Sequence, residues 1–136
     1  MVLKVIIDTN FLLIPSTLNV DVFEGIVSAA NDSVELITLN LVVEELEILI
    51  ASKELNLKDR EAAKLALALL KQKNLKIEHC SNEHTDDAIL KKALEFKQEG
   101  YSAAIATQDK ELISRALSSK IQIFTLRQKK KILLLK

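Results

Sequence analysis

A hydrophobic run near the start of the chain, Val5-Ile6-Ile7, ends abruptly in the polar residues Asp8-Thr9-Asn10. Consecutive apolar residues face both sides of a strand, so this strand is predicted to be buried on both faces, as in a parallel sheet covered by helices. A carboxylate cannot lie deep in such a sheet. We therefore expect Asp8 where the strand emerges at its carboxyl end, the edge at which open α/β sheets bind ligands. A simpler interpretation is that Asp8 and Asn10 only form the turn after the strand.

Strand and helix patterns alternate along the rest of the chain. Apolar runs predict further strands at 34–38, 75–79, 103–107 and 121–126, with amphipathic helices between them. In a chain of 136 residues, 49% of them hydrophobic, this alternation predicts a single α/β domain. The expected architecture is a three-layer α/β/α sandwich with a central parallel sheet, spanning residues 1–136, in which 129–136 form a basic and then apolar tail. Polar residues before three helices, Asp21, Asn40 and Thr85, are predicted N-caps.

Composition excludes some classes of protein but does not by itself indicate a binding partner. Lys plus Arg and Asp plus Glu both number 19, so a formal net charge of +0 does not by itself indicate a polyanionic partner. The single cysteine excludes an intramolecular disulfide and a cysteine-rich zinc site. The first residues lead straight into a strand and are too short for a signal peptide or a membrane span. We expect a soluble, cytoplasmic protein without a membrane partner.

Acidic residues recur where predicted strands end and where the following helices begin. The positions are Asp8, Glu44 or Glu45, Asp86 or Asp87, and Asp109. In a parallel sheet these ends lie along one edge, so the acids can converge. Crowded carboxylates repel each other unless a cation offsets them, and hard oxygen ligands suit Mg²⁺ or Mn²⁺, which would activate a water for attack on a phosphodiester. Each acid also has an ordinary alternative, as a helix cap, a partner of the helix dipole or a solvated surface residue.

The motifs that contain these acids resemble a known family when they are taken together. Their order is Ile-Ile-Asp8-Thr-Asn10, Val-Val-Glu-Glu45-Leu-Glu, Thr-Asp-Asp87-Ala-Ile-Leu and Ile-Ala-Thr107-Gln-Asp109-Lys-Glu-Leu. The set resembles the four-motif signature of PIN-domain endoribonucleases over almost the whole chain. Val-Glu-Glu-Leu-Glu, Asp-Asp-Ala-Ile and the late Thr125-Leu126-Arg127-Gln128 are most similar to the archaeal and eukaryotic PIN proteins of small-subunit ribosomal RNA processing.

This resemblance implies a PIN-like α/β/α sandwich and metal-dependent endoribonuclease activity that leaves a 5′-phosphate and a 3′-hydroxyl. The acids that match the metal-holding, catalytic positions of the family are Asp8, Glu45, Asp87 and Asp109. Asn10 and Thr107 match the polar residues that orient them. Glu44 remains an alternative to Glu45, and Asp86 remains an alternative to Asp87.

A basic cluster near the chain end is the strongest candidate for RNA binding. Its members are Arg127, Lys129, Lys130 and Lys131, which would contact phosphates of an RNA such as a ribosomal RNA precursor. The apolar residues that follow would pack back on the domain or form a homodimer contact. Two other functions remain open: a VapC-type toxin ribonuclease controlled by an antitoxin, and a catalytically silent PIN module that binds an assembly factor as a scaffold.

Overall fold

The computed structural model describes residues 2–81, 83–127 and 131–135 as an α/β fold. In chain order its elements are β1 (Val2–Ile7), α1 (Thr9–Leu12), α2 (Ile14–Leu18), α3 (Val22–Ala29), β2 (Ser33–Leu39), α4 (Asn40–Ala51), α5 (Leu57–Gln72), β3 (Lys76–Glu78), α6 (Thr85–Gln98), β4 (Ser102–Ala106), α7 (Lys110–Ser118), β5 (Gln122–Arg127) and β6 (Lys131–Leu135).

The strands form one six-stranded sheet in the order β3-β2-β1-β4-β5-β6, flanked by helices. β1 lies between β2 and β4 and is parallel to both, and Val5, Ile6 and Ile7 are completely buried. Because β2, β1, β4 and β5 run in the same direction, their carboxyl ends lie along one edge of the sheet. The prediction of a parallel α/β sheet in which the first strand is buried on both faces is confirmed.

The last strand corrects that prediction, because β6 is antiparallel to β5, with Arg127 paired to Lys131 and Ile123 to Leu135. A short connection allows an antiparallel partner, whereas a parallel partner needs a crossover of a dozen residues or more. Residues 131–135, predicted as a tail, are therefore an edge strand of the domain.

Close packing against α3 holds β6 in place. The Ile132 side chain is buried, and a side chain at Gly25 of α3 would collide with it. Gly25 therefore permits the close approach of helix and strand that an alanine would block. Of the two placements predicted for this apolar segment, the structure shows packing back on the same domain.

Two of the three predicted N-caps differ from what is observed. Asp21 does cap α3, accepting hydrogen bonds from two main-chain amides of its first turn. Asn40 is instead the first residue of α4, because its side-chain amide pairs with both the N–H and the C=O of Cys80. Thr85 is the first residue of α6, and His84 occupies the cap position. In the described part of the chain, no helix is both long and apolar enough to cross a membrane.

Candidate functional site

Asp8 lies at the carboxyl end of β1, at the edge of the sheet predicted from the sequence. Its main-chain N–H donates to the Ala106 carbonyl of β4 at 2.9 Å, so the chain follows the sheet for one more residue before turning into α1. Oδ1 accepts from the main-chain N–H of Thr9, and Oδ2 accepts from the Thr107 hydroxyl, both at 2.8 Å. The residue is only 5% exposed. Two hydrogen bonds thus fix the orientation of a buried carboxylate.

The environment of Asp8 disfavours its charged form. Burial raises the pKa of Asp8 to about 6; the hydrogen bonds from Thr107 and Thr9 oppose this rise, and the nearby acids Asp86 and Glu45 add to it. No ion pair to Asp8 forms within the described ranges. This carboxylate is therefore buried among other acids without a neutralising cation.

Thr9 connects Asp8 to the second acidic residue of the site. Its hydroxyl donates to Oε1 of Glu45 on α4 at 2.7 Å, while its main-chain N–H donates to Asp8. Glu44 is exposed and accepts only a longer contact, 3.3 Å, from the side chain of Asn40. The structure therefore places Glu45, rather than Glu44, beside Asp8.

Thr107 connects Asp8 to the residues that follow β4. Its hydroxyl oxygen accepts from the main-chain N–H of Asp109 at 3.1 Å, in addition to donating to the Asp8 carboxylate. Asn10 accepts from the main-chain N–H of Gln108 at 3.1 Å, which ties the turn after β1 to the turn after β4. Asp109 caps α7, as the structural alternative predicted, and remains half-buried at the same edge.

Asp86 is the fourth acid of this edge. Its pKa is raised, first by burial and then by the charges of Asp109 and Glu45, whereas His84 and Arg115 act in the opposite direction. Asp86 therefore lies close enough to Asp8, Glu45 and Asp109 for its charge and theirs to repel one another. We call Asp8, Glu45, Asp86 and Asp109 the acidic site.

Asp87 differs from Asp86 in its partner and in its exposure. Its carboxylate forms an ion pair of 2.9 Å with Arg115 of α7, and its side chain is 59% exposed. In the structure Asp86 shares the helix face of the completely buried residues Ile89 and Ala93, three and seven positions later. Asp87 stands at the same spacings from Leu90 and Leu94, so the sequence pattern alone does not choose between the two acids.

A family model for a PIN-like domain matches residues 5–129 of this chain, a range that includes all four motifs. The chain belongs to this PIN-like domain family. With the family assignment, the predicted PIN-like α/β sandwich is confirmed.

Individual relatives agree with this assignment. Ribonuclease VapC4 of Methanocaldococcus jannaschii is 35% identical over 127 residues, which cover 93% of this chain and 92% of that protein. The solved structure of the PIN domain endonuclease Utp24 has a TM-score of 0.73 and 25% identity, covering 96% of this chain and 90% of that one. VapBC2 of Rickettsia felis, solved bound to a DNA fragment from its promoter, has a TM-score of 0.53 and 13% identity over 91% and 99% of the two chains, a likeness of fold alone.

The acidic site of this PIN-like domain offers only oxygen donors, the chemistry that Mg²⁺ and Mn²⁺ prefer. Among residues 2–81, 83–127 and 131–135, however, no group of three or more His, Cys, Asp or Glu side chains is close enough together to hold a metal ion. Glu45 and Asp8 contact each other through Thr9, and Asp8 and Asp109 through Thr107. The donor set fits a hard cation in type and charge, and the acids would have to move closer together to bind one.

The predicted basic cluster is described only at its two ends. Arg127 is exposed at the carboxyl end of β5 and Lys131 at the start of β6, where the two residues pair. Lys129 and Lys130 lie outside the described residues. Since β5 is parallel to β4, Arg127 lies at the same edge of the sheet as the acidic site.

Sequence reasoning overlooked two polar residues of the site, Thr9 and Gln108. Thr9 lies between the predicted site residues Asp8 and Asn10, and Gln108 lies between Thr107 and Asp109. Their position inside the motifs was the available signal. Their bridging contacts join segments that are distant in sequence, which periodicity does not reveal.

Proposed function

We propose that this protein is a divalent-metal-dependent endoribonuclease. The observation that carries the proposal is the acidic site itself: a buried carboxylate, Asp8, held by two hydrogen bonds among three other acids and without an ion-pair partner in the described ranges. Such an arrangement is costly for a domain unless a ligand offsets the charge. The 35% identical relative named as a ribonuclease and the similar structure of a PIN domain endonuclease support the same chemistry.

Each residue of the acidic site then has a role. Asp8, Glu45, Asp86 and Asp109 would hold Mg²⁺ or Mn²⁺, with Asp86 preferred to Asp87 and Glu45 to Glu44. The bound ion would polarise the phosphodiester and lower the pKa of a water for in-line attack. Thr9 and Thr107 orient the carboxylates through their hydroxyls, and Asn10 holds the main chain before Asp109 in position.

Proton release should accompany binding of the cation. Because burial raises the pKa of Asp8 to about 6, part of the free protein carries a proton on this carboxylate near neutral pH. A metal ligand must be deprotonated, so the cation competes with that proton.

The substrate proposed is RNA, held through its phosphates by Arg127 and Lys131 together with Lys129 and Lys130. Two biological settings have about equal support. The motifs that resemble PIN proteins of small-subunit ribosomal RNA processing favour that process, with an assembly factor as partner. The likeness to a ribonuclease named VapC4 favours a VapC-type toxin ribonuclease with an antitoxin. A homodimer is a further proposal, which light scattering would test.

Cleavage and calorimetry test the proposed chemistry together. Wild-type protein should cut end-labelled single-stranded RNA internally with Mg²⁺ or Mn²⁺, and EDTA should stop the reaction. Titration with Mn²⁺ should release protons, so the heat of binding should depend on the ionisation enthalpy of the buffer. Absence of Mn²⁺ binding up to millimolar concentration, with no cleavage, would refute the proposal and favour a catalytically silent scaffold.

Expression in cells separates the two settings. A toxin ribonuclease should arrest growth when the active protein is expressed, and a cognate antitoxin should relieve the arrest. A processing enzyme should leave growth unchanged and should cut purified ribosomal RNA precursor at a defined position. The Asp8→Asn variant is the control in both experiments, because any effect that remains in it does not come from cleavage.

A further inference from the structure

Gln108 connects the acidic site to β5 through hydrogen bonds of both its main chain and its side chain. Its side-chain oxygen accepts from the main-chain N–H of Leu126 at 2.6 Å and from the Thr125 hydroxyl at 2.8 Å. Its side-chain nitrogen donates to the Leu126 carbonyl at 3.3 Å. The main-chain N–H of the same residue donates to Asn10 in the site. One residue thus contacts both the catalytic edge and β5.

The Gln108 amide replaces a strand partner that β4 no longer supplies. β4 pairs with β5 only as far as Ala106 and Phe124, and beyond that point the main-chain groups of Leu126 need another partner on that side. The side-chain amide provides a donor and an acceptor, as a peptide group would. Past the end of β4, β5 is therefore held on one side by its pairing with β6, as far as Arg127, and on the other side by the Gln108 amide at Leu126.

A groove of about 530 Å³ lies between α7 and this extended end of β5. Gln108 and Thr125 line it near the acidic site, and Ile113, Leu117 and Leu126 give it apolar walls. Two cations, Lys110 and Arg127, also line the groove. Neither forms an ion pair within the described part of the chain.

We propose that this groove receives the RNA strand next to the acidic site, and that Gln108 is the positioning residue that holds its two walls together. The inference rests on the proposed ribonuclease function and names its substrate path. The acidic site repels phosphates, so a strand needs cations close by. Lys110 directly follows Asp109 and supplies one, and Arg127 supplies the other. Aliphatic walls can pack against ribose and base surfaces, and such contacts do not select a sequence.

The test uses the full chain and a fluorescent single-stranded RNA. Binding to the inactive Asp8→Asn protein is measured by anisotropy over a range of salt concentrations, with and without the double substitution Lys110→Gln, Arg127→Gln. We expect about tenfold weaker binding and a salt slope smaller by about 1.4, since each phosphate contact to single-stranded RNA contributes about 0.7. The matched control is Lys58→Gln with Lys64→Gln, which removes the same charge from exposed positions of α5 and should change neither quantity.

Gln108→Met tests the positioning role, because methionine keeps the length of the side chain and removes its amide. The main-chain contact to Asn10 does not depend on the side chain. We therefore expect KM for RNA to rise about fivefold, with kcat at saturating RNA within about twofold of wild type. Hydrogen exchange of the Leu126 amide should accelerate in this variant. A fall in kcat at unchanged KM would overturn the positioning role.

The outcomes separate this inference from the proposed function. If wild-type protein cleaves RNA but the groove double variant binds like the α5 control, the groove assignment is wrong and the proposed function stands. The groove assignment is also wrong if the double variant loses self-association while keeping its RNA affinity, since the groove would then bind a second copy. If wild-type protein neither binds nor cleaves RNA, the proposed function and this inference both fail.

Discussion

Two buried charged side chains belong to the first segment of the chain, Lys4 within β1 and Asp8 directly after it, and their surroundings differ. Lys4 forms an ion pair of 2.8 Å with Glu35 on β2. Its ammonium group also lies 4.4 Å from the ring centre of Tyr101 and 5.1 Å from that of Phe96. The hydrogen bond to Glu35 raises the pKa of Lys4 and so favours its charged form. The positive charge of Lys4 is therefore balanced by Glu35 and by the two aromatic rings.

Asp8 has no such compensation, because its partners are hydroxyl and amide groups and its charged neighbours are other acids. The contrast between these two residues distinguishes two roles of a buried charge. A charge that the fold itself neutralises contributes to structure. A charge that the fold leaves without a counter-ion indicates where a ligand belongs.

The strongest test of this contrast is Asp8→Asn, which should reduce RNA cleavage to background. Folding should survive, because the Thr107 hydroxyl has a free lone pair and can accept from the new amide. Cleavage assays and thermal unfolding measure the two effects. If the variant unfolds, Asp8 is a structural residue and the contrast with Lys4 disappears.

Substitutions of the neighbouring residues Asp86 and Asp87 test which of the two belongs to the acidic site. Asp86→Asn should lower kcat/KM by at least about 100-fold, because loss of a metal ligand should cost no less than the roughly 10–100-fold loss usual for a residue that only orients one. Asp87→Asn should change it by less than about threefold, because its exposed ion pair with Arg115 contributes little. The reverse ranking of the two rates would place Asp87 in the site.

The stability of the metal-free protein should fall as Asp8 ionises. A raised pKa means that the folded chain binds this proton more tightly than the unfolded chain. The contribution is fully present below about pH 3.8 and is lost as the pH rises through about 6. The loss corresponds to about 3 kcal/mol, the difference between an ordinary pKa of 3.8 and one of about 6.

Urea unfolding in EDTA across this pH range measures the effect, and Asp8→Asn is the reference. The difference in unfolding free energy between wild type and variant should change with pH over that window. Parallel curves for the two proteins would show that Asp8 has an ordinary pKa.

The smallest effect on cleavage is expected for substitution of Lys4, whose charge is balanced within the fold. Lys4→Met should lower the free energy of unfolding by about 1–2 kcal/mol, because it removes a charge-assisted hydrogen bond and a cation–π contact. Glu35 is 40% exposed and can be hydrated when its partner is removed. Cleavage should remain within about twofold of wild type, as steady-state assays would show; a large loss of activity would erase the distinction between the two charges.

The sequence was sufficient to predict the elements whose signal is local. The run Val5-Ile6-Ile7 predicted a doubly buried strand, and the position of Asp8 after it predicted the edge at which the acids meet. Asp21 was predicted as a cap, and a cap was one of the alternatives for Asp109, because capping depends on residues a few positions away.

Features that depend on contacts between distant residues were not predictable in the same way. Adjacent helical residues point about 100° apart, so the choice between Asp86 and Asp87 depends on how α6 is rotated against the sheet. The strand character of β6 depends on pairing with β5 and on the absence of a side chain at Gly25. The Gln108 amide acts as a strand partner only because β4 ends before β5 does.

The central claim is that the uncompensated charge of Asp8 is a cation site, and carboxyl NMR tests it most directly. The ¹³C signal of the Asp8 carboxyl group, assigned by its absence in Asp8→Asn, is followed against pH with and without Mg²⁺. We predict a midpoint near 6 in the metal-free protein and a midpoint below about 4 with saturating Mg²⁺, because the ion competes with the proton. A midpoint near the ordinary value without metal, or one that Mg²⁺ does not move, would contradict the claim.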